Sequence, residues 1–123
     1  MKILFHDDAP DRRQKPFRRV FPHAVFARSN QAAVRHLEST AFDVLFLDHD
    51  LEEQPGYKGE TGFELVEWIC RNHPAIGKIV IHSTNSKADE MKDSLRTHGY
   101  DVKVLRFEPT IVEWLKVHSF VGF

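Results

Sequence analysis

The stretch FDVLFLDHDLEE, residues 42–53, decides the fold. Val44 to Leu47 form an unbroken apolar run, and Asp48, His49 and Asp50 follow it directly. A short run that is apolar on both parities describes a strand buried on both faces, as in a parallel sheet covered by helices. An acid placed immediately after such a run is costly unless it is paired or bound to a metal. The polar end of this strand is therefore a candidate site, and its partners are sought at the ends of the other strands.

KILFH (2–6) and KIVIH (78–82) have the same character: short, apolar on both parities and rich in branched residues. HAVFA (23–27) and VKVLRF (102–107) are weaker strands, expected nearer the edges. Helical patterns lie between them. SNQAAVRHLEST sets Ala33, Val34 and Leu37 on one face behind a Ser29 cap. GFELVEWICRN repeats Phe63, Val66, Ile69 and Cys70 with helical spacing, and SKADEMKDSLRTHGY aligns Ala88, Met91, Leu95 and His98 before stopping at Gly99. TIVEWLKVH gives Ile111, Leu115 and His118 as the face of a last helix after Pro109, and residues 10–20 give a short first one. Strands alternating with helices through right-handed crossovers make an α/β, flavodoxin-like, doubly wound five-stranded parallel sheet of order 2-1-3-4-5 with helices on both faces. Ligands of such sheets bind beyond the carboxyl ends of the strands, here around the first and third.

The chain has 123 residues, the size of one domain (1–123) able to bury a core without disulfides. A net charge of -1 makes no electrostatic case for a general nucleic-acid or membrane binder. The single cysteine, Cys70, excludes an intramolecular disulfide, fits a reducing compartment and reads as a core residue on a helix face. No apolar stretch approaches a membrane span, and the amino terminus lacks the apolar core of a signal peptide, so a cytoplasmic location is expected. RRQKPFRR (12–19) is the one dense basic run; a solvated helix face is the leading reading, contact with an RNA end the competing one.

In the expected topology three strand ends converge. The first ends in His6, Asp7 and Asp8, the third in Asp48, His49 and Asp50, and the fourth in His82, Ser83, Thr84 and Asn85. Carboxylates crowded together repel when ionised, and a divalent cation removes that cost. Oxygen ligands suit Mg²⁺ or Mn²⁺, whereas imidazoles shift preference towards Mn²⁺, Fe²⁺ or Zn²⁺. Two structural readings compete with a site. Asp7, Asp8 and Asp50 can cap helices or make Asx turns, and His6 and His82 can each be hydrogen-bonded core histidines. Strand alternation at a last residue does not decide whether these imidazoles face the site or the core.

At these residues the chain resembles the receiver domain of two-component response regulators over nearly its whole length. KILFHDDAPDRR is similar to the receiver's first strand with its acidic metal-binding pair, which implies that role for Asp7 and Asp8. FDVLFLDHDL places Asp48 at the phosphoacceptor position, GFELVEWI begins with Gly62 in the usual place, and IVIHSTN puts Ser83 at the switch hydroxyl. The departures are equally specific. LRFEP offers Arg106 where a receiver has Lys followed by Pro, and His6 and His82 stand at aliphatic positions. His49 and Asp50 replace the usual apolar residue and its neighbour, and the connection EEQPGYKGET (52–61) is long enough to form a lid carrying Tyr57 and Lys58. With its added histidines and DHD run, the chain most resembles the cyclic-phosphate processing receiver-like family.

Two activities follow as expectations. In the first, a metal-dependent phosphoesterase, Asp7, Asp8, Asp48 and Asp50, with His6, hold one or two cations. Asp48, His49 and His82 supply the catalytic groups, and Ser83, Asn85, Lys87 and Arg106 clamp the phosphoryl oxygens. The substrate would be a phosphorylated small molecule or an RNA end, cyclic phosphates included. In the second, a signalling receiver accepts phosphate covalently on Asp48 and reports it to a protein partner through Ser83. A degenerate receiver used only for protein contacts is the third and weakest reading.

Overall fold

The computed structural model describes residues 2–7, 15–48, 62–82 and 88–105. In chain order these form β1 (Ile3–His6), α1 (Lys15–Val20), β2 (Val25–Ala27), α2 (Asn30–Ser39), β3 (Phe42–Asp48), α3 (Gly62–Asn72), β4 (Ile76–His82), α4 (Ala88–Thr97) and β5 (Asp101–Leu105). The five strands pair in parallel in the order β2-β1-β3-β4-β5, as expected from the sequence. The last predicted helix, around residues 111–118, lies outside the described residues.

Alternation along the central strands builds two cores, one on each face of the sheet. Leu4, Leu45, Leu47, Ile79 and Ile81 point to one side, where they meet Ala33 and Leu37 of α2, Leu65, Val66 and Ile69 of α3, and Ala88, Met91 and Leu95 of α4. Ile3, Phe5, Val44, Phe46 and Val80 point to the other and meet Phe17 and Phe21 of α1. That second core is largely aromatic: Phe5 stacks on Phe17 at 4.0 Å, and Phe17 meets Phe46 edge-on at 4.8 Å. Burial on both faces explains why these strands read as continuous apolar runs. The edge strands β2 and β5 mix exposed and intermediate positions with buried ones, which explains their weaker sequence signal.

Local chemistry sets several element ends. Ser29 caps α2, its hydroxyl accepting from the Ala32 amide at 3.1 Å. Helix α4 stops at Gly99, whose φ of 92° suits glycine. Gly77 is required for a different reason: a Cβ there would stand 2.6 Å from the Asp43 carbonyl oxygen, so β3 and β4 meet at backbone contact.

The structure corrects some sequence expectations. β2 begins at Val25 rather than at His23, and β4 begins at Ile76 rather than at Lys78. His98, aligned by spacing with Ala88, Met91 and Leu95, lies just past the helix end and is exposed, because the chain turns there toward Gly99. Leu65 was not on the expected stripe of α3 yet is fully buried, since α3 is flanked by both α2 and α4 and buries a wider face.

Candidate functional site

The carboxyl edge of the sheet is assembled by register. His6 of β1 pairs with Leu47 of β3, so the next residues along, Asp7 and Asp48, stand at the same level. Asp48 in turn pairs with His82, the last residue of β4. The Asp7 amide donates to the Ala27 carbonyl at 3.0 Å, extending the ladder to β2 one residue past the strand. Three separate segments therefore deliver Asp7, Asp48 and His82 to one edge, as the sequence predicted.

Asp7, His6 and His82 are buried, with at most 1% of each exposed. His82 Nδ1 faces Asp7 Oδ2 at 4.0 Å, a contact of opposite potential charge that is too long for a hydrogen bond. The imidazole of His82 lies flat against Phe5, with ring centroids 5.2 Å apart and planes within 4°. Phe5 is itself stacked on Phe17, so α1 supports this imidazole through two aromatic layers. The pair is held by β1, β4 and the aromatic core beneath them.

His6 occupies different surroundings. Alternation along β1 sends Leu4 and His6 to the face opposite Phe5 and Asp7. There its Nε2 donates to Asn30 Oδ1 at 2.9 Å, the first residue of α2. Burial lowers its pKa from 6.5 to about 4, against the upward pull of the Asn30 hydrogen bond. Its Nδ1 is buried without a hydrogen-bond partner among the described residues. The structure thus brings Asp7 and His82 together and sets His6 apart, through the sheet from them.

Among the described residues, no three His, Cys, Asp or Glu side chains gather as a metal-holding group. Of the predicted ligands, Asp8 and Asp50 lie outside the described residues, as do His49, Ser83, Asn85, Lys87, Arg106 and the connection 52–61; Asp48 is described in its backbone alone. The donor chemistry that is described fits a hard divalent cation: a buried carboxylate at Asp7, level with the backbone of Asp48, at an edge where further acids follow both in sequence. Asn30 and Phe5 were missed as contributors. Asn30 reads from sequence only as a helix-opening residue, and Phe5 only as core.

The described residues contain no helix long and apolar enough to cross a membrane. No curated protein matches the chain. Solved structures share its fold. The chemotaxis protein CheY4 of Vibrio cholerae superposes with a TM-score of 0.71 at 21% identity, over 98% of this chain and 97% of that one. A CheY-like receiver domain from Methylobacillus flagellatus gives 0.71 at 19% identity, over 99% and 98%. NtrX from Brucella abortus gives 0.68 at 21% identity, and there the match occupies 26% of a longer chain. Residues 1–97 match the family model described as the cyclic-phosphate processing receiver domain. On that match, which spans the strand ends carrying Asp7, Asp48 and His82, the chain belongs to the cyclic-phosphate processing receiver domain family.

Proposed function

We propose that this chain processes a phosphate ester, with a cyclic phosphate as the leading substrate class, at the carboxyl edge of its sheet with the help of a divalent cation. The observation that carries the reading is the buried contact between Asp7 and His82 across the ends of β1 and β4. An imidazole buried beside an acid at this edge places a nitrogen acid–base group against the carboxylate, which a site that only accepts phosphate onto an aspartate does not need.

In this reading Asp7, Asp8 and Asp48 hold the cation, Mg²⁺ or Mn²⁺ before Zn²⁺, and Asp50 extends the same acidic edge. When bound, the cation supplies Lewis-acid polarisation of the phosphoryl group and lowers the pKa of a coordinated water. Asp7 presents its carboxylate from the β1 ladder, and His82 faces its Oδ2 with Nδ1 at 4.0 Å. Because His82 is buried against Phe5, its part is that of a positioning residue beside Asp7. His49 is the candidate acid to the leaving oxygen, and Ser83, Asn85, Lys87 and Arg106 are the candidate phosphate contacts. His6 is left out of the ligand set, since its hydrogen bond to Asn30 lies on the opposite face.

The test is hydrolysis of 2',3'-cyclic nucleotides and a generic phosphodiester with Mg²⁺, Mn²⁺ or Zn²⁺, by wild type, Asp7→Asn and Asp48→Asn. Metal-dependent turnover lost in both variants is expected. The absence of turnover with every metal, together with a phosphate mass gain on Asp48 from a small phosphodonor, would replace this reading with a signalling receiver whose partner is another protein.

A further inference from the structure

A second group of imidazoles lies at the other end of the sheet. His73 follows the last turn of α3, and His98 follows the last turn of α4. Both are exposed, and their ring centroids are 5.7 Å apart with planes at 49°. They stand at the amino edge of the sheet, since each precedes a strand: His73 leads into β4 and His98 into β5. The length of β4 puts them roughly 20 Å from the end that carries His82.

We propose that His73 and His98 form a two-histidine site for a borderline transition-metal ion, Zn²⁺ or Ni²⁺, independent of the acidic edge. Three observations support it. The first is tautomer: His98 Nδ1 lies 2.8 Å from the Ser94 carbonyl oxygen, which can only accept. The proton therefore sits on Nδ1, and the lone pair of the neutral ring sits on Nε2. Metal-binding imidazoles are held in this way, donating through one nitrogen to a carbonyl while the other coordinates.

The second is separation. With Zn–N bonds of about 2.0–2.1 Å, two imidazoles on one tetrahedral or more open centre have centroids roughly 5–6 Å apart. The observed 5.7 Å falls in that range.

The third is the framework. His73 holds a left-handed φ of 47° where a helix end usually carries glycine, and its amide donates to Ile69 at 2.9 Å. Its ring lies along Tyr100, with centroids 6.0 Å apart and planes at 19°. The Tyr100 hydroxyl donates to the Pro74 carbonyl at 2.8 Å, tying the residue after His73 to the segment after His98. Both imidazoles also lie at helix carboxyl ends, where the aligned peptide dipoles favour a cation.

Cys70, one turn before His73, does not join them. Its thiol points to the same Ser94 carbonyl at 3.8 Å, and burial raises its pKa, which favours the protonated form that does not coordinate. Among the described residues no third ligating side chain completes a group, so solvent would fill the remaining positions and the ion would clip the ends of α3 and α4.

The test is calorimetric titration of the full, tag-free, chelator-treated chain with Zn²⁺ and with Ni²⁺, the acidic-edge variant separating any binding at that edge from binding at His73 and His98. Wild type, His73→Gln, His98→Gln, and an Asp7→Asn/His82→Gln variant are compared, with circular dichroism as the control for folding. A site attributable to His73 and His98 is expected in wild type. It should weaken at least tenfold in either surface variant and persist in the edge variant. Absence of binding in wild type, or equal binding by wild type and both surface variants, would overturn the proposal.

Discussion

His6 and His82 end equivalent apolar strands, yet alternation and packing have given them different work. His82 lies against Phe5 and faces Asp7, whereas His6 is closed into the opposite face with Asn30. Burial drives the His6 pKa down from 6.5 to about 4. Between those values the unfolded chain binds a proton that the folded chain rejects, so stability rises with pH there. The contribution is fully present above pH 6.5 and is lost as pH falls towards 4. We expect wild type to lose about 2 kcal/mol more than His6→Gln between pH 7.5 and pH 5, in chelator-treated denaturant titrations. Equal losses in both proteins would contradict the assignment. Which face each imidazole takes was not legible in the sequence, because a one-residue offset at a strand end exchanges the faces.

At the scale of elements, the central strands announced themselves and the edges did not. β1, β3 and β4 are covered on both sides and so carry uninterrupted apolar runs, while β2 offers only Val25 to Ala27, with Val25 38% exposed. The stop of α4 at Gly99 was legible because the left-handed backbone there selects a residue without a Cβ. Asn30 was not, since an amide at a helix start looks the same whether it caps or reaches back to a strand. Gly77 carried no signal either, and only the approach of β3 explains it. Placing a Cβ 2.6 Å from the Asp43 carbonyl oxygen forces β3 and β4 apart near their start. Gly77→Ala should therefore destabilise the chain by about 1–3 kcal/mol, read from its denaturation midpoint, whereas Ala at an open position such as Gln31 should not. A midpoint unchanged by Gly77→Ala would show that the strands separate at no cost.

Across the whole molecule, doubly wound topology brings Asp7, Asp48 and His82 to one edge from segments far apart in sequence. That convergence was legible as soon as the strands were, because parallel order fixes which ends meet. The choice between hydrolysis and phosphate acceptance was not, since both use the same acids. A cation that binds the folded edge and not the unfolded chain raises stability by mass action. Mg²⁺ or Mn²⁺ at a hundredfold excess over its dissociation constant should stabilise wild type by about 2.7 kcal/mol, and Asp7→Asn should lose most of that gain in thermal unfolding. Equal gains in the two proteins would place the cation elsewhere.

The buried contact of His82 with Asp7 is the central claim, and its most direct measurement is the pH–rate profile for 2',3'-cyclic nucleotide hydrolysis by wild type and His82→Gln at saturating Mn²⁺. The account predicts turnover in wild type, a loss of at least a hundredfold in the variant with its fold intact, and a changed pH–rate profile. Identical profiles and rates in the two proteins would contradict it.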